Sequence, residues 1–368
     1  MNSDIKERVI FHIDFNYFFA QCEELRKPEL KDKPVVVCVY SGRTEDSGAV
    51  STANYIARKH GIKSGIPIKL AKNRLKDVLD AVFLPVDHDY YQEMSDKAMN
   101  IIKNYADKFE LMGIDEAFID ASERLNHDFY KAEEYAMEIK KRLRDGIQLI
   151  CSIGIAPNKL VAKIASDFRK PDGLTVVRPK EIESFLTDLS VDKIIGIGKK
   201  TEERLNQMGV KTIGELAKLD VYTLTKEFGK KNGIYIFNAA KGIDNEPIVE
   251  AESITQISRI MTLKKSTNIM DEMFTDLESL CKDVYRSAME QGLSFKSIGI
   301  ILILDDLSTK TKSRGLKSHS ISYDELFKTA KALLAEAVLE SQLLVRRLGV
   351  KVAELIGSRG QDTLSRFM

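Results

Sequence analysis

Three acidic side chains stand where the sequence is otherwise apolar or tightly turned. Asp14 interrupts the strand-like run VIFHIDF, and Asp115 and Glu116 adjoin each other in GIDEAF. A charge inside an apolar strand is costly unless something compensates it. Successive strand residues point to opposite faces, so only a bend brings Asp115 and Glu116 to one place. Three carboxylates meeting at strand ends would repel one another. Two magnesium ions about 3.5–4 Å apart would resolve that repulsion and set up in-line phosphoryl chemistry. The histidines are scattered and the four cysteines (Cys22, Cys38, Cys151, Cys281) form no C-x-x-C pair, so a hard cation on oxygen ligands is the expectation. The plain alternative is that Asp14 caps the helix after it and the Asp–Glu pair is a solvated turn.

A second group of residues has the chemistry of phosphate binding. Thr52, Tyr55 and Arg58 recur at spacings of three in TANYIAR, which predicts a helix face with two hydroxyls and a guanidinium aimed at one anion. Lys170 sits in DFRKPDG, where Pro171 and Gly173 predict a turn that holds it in place. A lysine there binds phosphate as a point charge and can lend a proton to a leaving pyrophosphate. A solvated helix face and a surface lysine would look the same.

Two further stretches have the form of grips on a nucleic-acid backbone. IIGIGKKTEERL places Gly196, Gly198, Lys199 and Lys200 as in a helix–hairpin–helix turn, where backbone N–H groups and a helix N-terminus face a phosphate. Residues 310 to 319 hold Lys310, Lys312, Arg314 and Lys317 and no acid, with His319 beside them. One face of a strand over 313–320 lined this way could track a duplex. A tight connection between helices and a charged edge that blocks aggregation are the competing readings.

These residues need elements to position them. RVIFHIDFNYFFAQCEEL reads as a buried strand entering a helix, KPVVVCVY as another buried strand, SGRTEDSGAV as a turn, and TANYIARKHG as a helix closing on Gly61. KFELMGIDEAFIDAS reads as two short strands meeting near the acidic pair. A helix over about 131 to 146 and the strand QLICSIGIA follow, giving an α/β or α+β core. Residues 180 to 241 are short helical patterns between glycines, and 242 to 254 read as a tether. Beyond lie strand ISRIMTL, helix 270–291, strands SIGIILIL and SRGLKSHS, helix 323–340 and strand VRRLGVKVAEL, a β-α-β-β-α-β module. With 368 residues, two to four domains are expected. The absence of any apolar run of roughly 18 residues points away from a membrane span. MNSDIKERVIF lacks the form of a secretory signal, so a cytoplasmic location is expected. Net charge is only +1, so the basic groups are placed rather than spread.

DFNYFFAQCEE, SGRTEDSGAVSTANYIARKHGIKSGIP, IDEAFID and SIGIAPNKLVAKIASDFRKPDG together resemble the Y-family DNA polymerases, in particular the archaeal, polymerase IV-like branch, over about residues 8 to 355. The resemblance implies an α+β multidomain, right-hand polymerase. Palm and fingers would occupy 1–178, with a ferredoxin-like palm and small fingers at about 26–84. A helical thumb with the helix–hairpin–helix would span 179–241, a linker 242–254, a β-α-β-β-α-β little finger 255–357 and a loose tail 358–368.

The implied activity is low-fidelity, template-directed DNA synthesis past damaged bases, without proofreading, by a monomer using primer–template DNA, deoxynucleoside triphosphates and two Mg2+ ions. Asp14, Asp115 and Glu116 match the metal-binding carboxylates, with the Phe15 carbonyl as a further ligand. Tyr55, Arg58 and Lys170 match the triphosphate contacts, joined here by Thr52. Phe19 falls at the steric gate against a ribose 2′-OH. The small residues Ala49, Ser51 and Gly65 match positions near the nascent base pair. Asn16 stands where close relatives often have aspartate. The end of the chain, with Gln361, Leu364 and Phe367, resembles a sliding-clamp peptide in which Met368 replaces the second aromatic. Two rivals remain at this point: a metal-dependent nucleotidyl cyclase, which also pairs carboxylates on a ferredoxin-like palm, and a non-catalytic DNA-binding protein of polymerase shape.

Overall fold

A computed structural model describes residues 7–250 and 254–357. The first part of the chain runs β1 (Ile10–Phe15), α1 (Phe18–Arg26), β2 (Val35–Tyr40), β3 (Gly48–Ala53), α2 (Tyr55–Lys59), α3 (Ile68–Arg74), β4 (Val82–Pro85) and α4 (His88–Lys103). It continues through β5 (Lys108–Leu111), β6 (Glu116–Asp120), α5 (Phe129–Ile147), β7 (Cys151–Ala156), α6 (Lys159–Phe168) and β8 (Leu174–Val176). The helices α7 (Ile182–Thr187), α8 (Lys199–Gln207), α9 (Ile213–Leu216), α10 (Val221–Phe228) and α11 (Lys230–Ala240) follow. The last part comprises β9 (Gln256–Thr267), α12 (Met270–Glu290), β10 (Leu293–Leu304), β11 (Thr309–Ser320), α13 (Tyr323–Leu339), β12 (Val345–Ala353) and β13 (Ile356–Gly357).

Two compact units result. Of the described residues, one holds those through Val37, Ser51–Ser64 and Asp77–Glu250; the other holds Cys38–Val50, Gly65–Lys76 and those from Ile254 to Gly357. The first is built on a sheet of order β5-β6-β1-β7-β8, antiparallel except for the β7–β8 pair. Alternation in β1 decides its two faces. Phe11, Ile13 and Phe15 pack with residues of α4 and α5, while Ile10, with Phe118 of β6, joins Leu160, Val161 and Ile164 of α6. His12, Asp14 and Glu116 follow the parity of Ile10 and Phe118 and so belong to the α6 side. Short polar residues start the helices: Asp87 accepts from Tyr90 N, Asp128 from Tyr130 N and Asn158 from Val161 N. Apolar residues of α7 to α11, Leu205, Ile213, Leu224 and Ile236 among them, share the core under α6.

In the second unit the sheet order is β11-β10-β12-β9, all antiparallel, and α12 and α13 cover one face. The β-α-β-β-α-β order expected from the sequence is present. Arg43 ties the two stretches of this unit, donating from Nε to the Leu263 carbonyl at 2.6 Å and from Nη2 to Ser266 Oγ and the Arg346 carbonyl. Among the described residues no helix is long and apolar enough to cross a membrane.

Several local expectations change. SGAV begins a strand rather than completing a turn, since β3 starts at Gly48. Thr52 therefore lies in β3 and not on the helix with Tyr55 and Arg58, because Asn54 is extended and caps α2 by accepting from Ala57 N. The basic strand is longer than 313–320, running Thr309–Ser320. The tether is irregular but not loose in its first part. Arg8 donates to the carbonyls of Glu246 and Asp244, the Asp244 carboxylate takes Leu160 N at 3.0 Å, and Glu110 takes Val249 N at 3.1 Å. The Asp244 carboxylate and two tether carbonyls serve as hydrogen-bond acceptors for neighbouring groups, which leaves no apolar period to read.

Candidate active site

One cleft in the first unit is lined by Asp14, Phe15, Asn16, Tyr17, Phe18, Phe19, Ser51, Thr52, Tyr55, Arg58, Ser64, Asp115 and Lys170. Asp14 ends the polar face of β1, and Asp115 reaches it from the turn before β6. The bend is pinned where the Phe15 N–H donates to the Asp115 carbonyl at 2.9 Å. Glu116 pairs with Asp14 in register but does not line the cleft. Its carboxylate is held by the Lys163 ammonium, and His12 Nε2 stands 3.2 Å away. Ser166 donates to the Lys163 carbonyl and takes His12 Nδ1 at 2.7 Å, which leaves Nε2 as the nitrogen facing Glu116. That nitrogen is off the hydrogen-bond line. His12 and then Lys163 hold the Glu116 carboxyl down to about 2, with Lys163 the better aligned of the two. Burial keeps the His12 ring below its usual range.

The other two carboxyls shift the opposite way. Burial raises Asp14, against the pull of Lys170, whose Nζ lies 2.8 Å from Asp14 Oδ1. Burial first, and then the charge of Glu116, raises Asp115. Burial leaves both oxygen-donor groups short of compensation for a full negative charge, even with Lys170 on Asp14. A hard divalent cation would supply it. Among the described residues no three His, Cys, Asp or Glu side chains are gathered as a ready-made cage. The fit to such an ion rests on the oxygen chemistry of Asp14 and Asp115, while Glu116 is held by Lys163.

Lys170 is placed by its turn. Asp172 N donates to Asn16 Oδ1 at 2.7 Å, Lys140 reaches the Asp172 carboxylate at 2.8 Å, and Arg144 reaches it at 3.0 Å. A Cβ at Gly173 would meet the Arg169 carbonyl at 2.2 Å, so the turn closes only on glycine. Asn16 lines the same cleft, and its side chain is a buried strut bonded to Ser152 and to the Asp172 backbone. Arg58 donates from Nε to the Ala53 carbonyl and lies over the Tyr55 ring. Tyr17, which sequence reasoning passed over, has φ 39° and meets Tyr55 edge-on at 5.4 Å. Left-handed backbone on a bulky residue is strained, and such strain gathers at functional sites. His12 and Lys163 were also missed, although His12 shares the strand face of Asp14 by a period of two and Lys163 precedes Lys170 by two helical turns.

The remaining candidates lie elsewhere. Ala49 bridges to Pro67, and Gly65 has φ +85°. In the helix–hairpin–helix turn Gly196 has φ +85°, Gly198 caps α8 with open space around it, and Lys199 and Lys200 are exposed in the first turn. The Tyr235 hydroxyl fastens this turn by donating to the Ile195 carbonyl at 2.6 Å. Lys312 is ion-paired to Glu340, the residue that ends α13, and Arg314 to Glu336 within it, on the helix-covered side of the sheet. That corrects the expectation of one basic face shared with Lys317. Leu316 packs toward the helix-covered core, so its neighbour Lys317 faces the open side, where register also puts Arg347, opposite Ile303, and Lys351, opposite Gly299. The clamp-peptide residues Gln361, Leu364 and Phe367 lie outside the described residues.

Comparison with known proteins gives the lineage. Residues 13–167 match the impB/mucB/samB family, residues 192–244 the thumb domain of DNA polymerase-iota, and residues 254–365 the impB/mucB/samB family C-terminal domain. DNA polymerase IV of Nitrosopumilus maritimus is 52% identical over 363 residues, covering 99% of this chain and 100% of that protein. DNA polymerase IV of Methanosarcina acetivorans is 44% identical, covering 97% and 99%. Among solved structures, a Y-family DNA polymerase chimera of Dbh and Dpo4 matches with a TM-score of 0.89 at 36% identity over 95% of this chain and 99% of that one. The insertion ternary complex of Dbh DNA polymerase matches with a TM-score of 0.69 at 35% identity over the same shares. Identity of this order along nearly the whole of both chains decides the matter: the chain belongs to the Y family of DNA polymerases, as a DNA-directed DNA polymerase that copies damaged templates at low fidelity and without proofreading.

Proposed function

We propose that the cleft between Asp14, Asp115 and Lys170 joins a deoxynucleoside triphosphate to a primer end. The observation that carries the reading is the meeting of two part-buried carboxyls, Asp14 and Asp115, with Tyr55, Arg58 and Lys170 on one lining. Enzymes of this family are divalent-metal dependent. Two Mg2+ ions on Asp14, Asp115, Glu116 and the Phe15 carbonyl would activate the primer 3′-OH and neutralise the leaving pyrophosphate. Thr52, Tyr55 and Arg58 bind the triphosphate from a strand end and the helix after it. Lys170 moves from Asp14 to the phosphates and gives its Nζ proton to the pyrophosphate. Phe19 denies space to a ribose 2′-OH. Ser51, together with Ala49 and Gly65, presses little bulk on the nascent pair, which suits damaged bases. Gly196, Gly198, Lys199 and Lys200 grip the backbone of primer–template DNA without reading sequence, and Lys317 continues that grip, aided by Arg347 and Lys351. The monomer works in the cytoplasm, and the clamp peptide Gln361, Leu364 and Phe367 tethers it to a sliding clamp.

Primer extension by Asp115→Ala tests the centre, with magnesium binding to the full chain measured by calorimetry as a second readout. Extension should fall by roughly a thousandfold and magnesium affinity should drop. Substantial remaining extension removes the carboxylate mechanism.

A further inference from the structure

Behind Phe19 stands a ring that sequence reasoning does not single out. Tyr91, in α4, is fully buried and stacks on Phe19 with ring centroids 4.4 Å apart and planes 14° from parallel. Its hydroxyl donates to Glu23 Oε1 at 2.8 Å. Glu23 is 1% exposed, and the same oxygen receives Arg26 Nη2 at 2.6 Å. Arg26 turns Nη1 to Asp87 Oδ2 at 2.8 Å and lays its guanidinium over the Tyr90 ring. Asp87 closes the circuit: its other oxygen takes the Tyr90 backbone N–H at 3.2 Å and caps the helix that carries Tyr91. The second oxygen of Glu23 is buried with no hydrogen-bond partner. Burying a carboxylate that way is unfavourable, and what it secures is a rigid seat for one tyrosine.

Phe19 is half-buried and lines the cleft. A ring excludes a hydroxyl only as far as it refuses to recede, and a retreat of a fraction of a hydroxyl's width is enough to admit one. Tyr91 covers the rear face of Phe19, and it cannot itself recede, because its hydroxyl is tied to α1 and the start of its helix is tied to Arg26. We infer that Tyr91, seated by the Glu23–Arg26–Asp87 clasp, is a positioning residue for sugar selection that holds Phe19 against the ribose 2′-hydroxyl. This rests on Phe19 being the sugar gate.

The test is single-nucleotide insertion by the full chain on primer–template DNA. Matched deoxy- and ribonucleotides are compared, together with 2′-fluoro and 2′-methoxy analogues. Tyr91→Leu should raise the ribo-to-deoxy ratio of kcat/KM by about tenfold. The rise should come from faster ribonucleotide insertion and grow with the size of the 2′ substituent. Tyr91→Phe keeps the flat ring but loses the tie to Glu23, and it should shift the ratio the same way by less than Tyr91→Leu. Arg26→Ala loosens the clasp from a partly exposed position, so it remains informative if Tyr91→Leu does not fold, and it should shift the ratio the same way by less. An unchanged ratio in both Tyr91→Leu and Arg26→Ala, or an equal fall for both sugars, makes the tyrosine ordinary core packing and overturns the inference. Phe19→Ala separates the two levels. If it fails to admit ribonucleotides, the gate assignment itself falls; if it admits them while Tyr91→Leu does not, only the role of Tyr91 falls.

Discussion

Asp115 is a carboxylate that burial and a neighbouring Glu116 make reluctant to ionise. A carboxyl raised in the folded state binds its proton more tightly there than in the unfolded chain. Stability therefore falls as pH climbs from the ordinary value near 3.8 through the raised one. Asp115→Asn should thus raise the melting temperature of the metal-free chain at pH 7 and flatten its dependence on pH across that window, while primer extension falls by roughly a thousandfold. Thermal melts from pH 4 to 7 check this, and a lower melting temperature at pH 7 would contradict the burial argument. Glu116 has the opposite sign. Held at about 2 by His12 and Lys163, it contributes stability above its unfolded value near 4.5, and that contribution disappears as pH falls toward 2. At this scale Asp14 stood out in the sequence because charge inside an apolar strand is conspicuous. The lysines that meet the acidic groups did not, since nothing in local spacing shows which ammonium lies over which carboxylate.

Among elements, α6 has the strictest requirement. It carries Lys163 and Ser166 to the acidic face, and it lies so close on β7 that a Cβ at Gly154 would meet the Ala162 carbonyl at 2.0 Å and Ser166 N at 2.3 Å. Gly154→Ala should push the helix off the sheet, at a cost of about 1–3 kcal/mol. It should also lower extension, because Lys163 and Lys170 move with the helix. Denaturant unfolding together with extension rates measures both, and a variant of unchanged stability would mean that the helix slides at no cost. Strands and long helices in the second unit were readable from apolar period, with α12 expected at 270–291 and found at Met270–Glu290. The spacing of Tyr91, Met94, Ala98 and Ile102 in α4 is equally helical. A reading keyed on functional residues passes over it, and with it the tyrosine behind Phe19. Thr52 was misplaced because helix propensity alone does not mark where Asn54 starts a helix.

Over the whole molecule, a net charge of +1 hides a placed distribution. Contacts to a phosphate backbone release counterions, so DNA affinity should fall steeply with salt. Lys317→Ala, Arg347→Ala and Lys351→Ala should each lessen the slope of log affinity against log salt by about 1. Arg314→Ala should change it less, because that guanidinium already answers Glu336 at 2.6 Å. Anisotropy titrations across a salt series decide this, and an equal loss for Arg314→Ala would return that residue to the DNA face.

What the sequence determined by itself is whatever depends on neighbours along the chain: a charge in an apolar strand, a glycine turn before lysines, a helical period, and motifs long enough to show a lineage. What only the tertiary structure decided is which side of a sheet a lysine occupies, which cation faces Glu116 and what stands behind Phe19. Those depend on the register between elements far apart in sequence, which packing sets and local pattern does not encode.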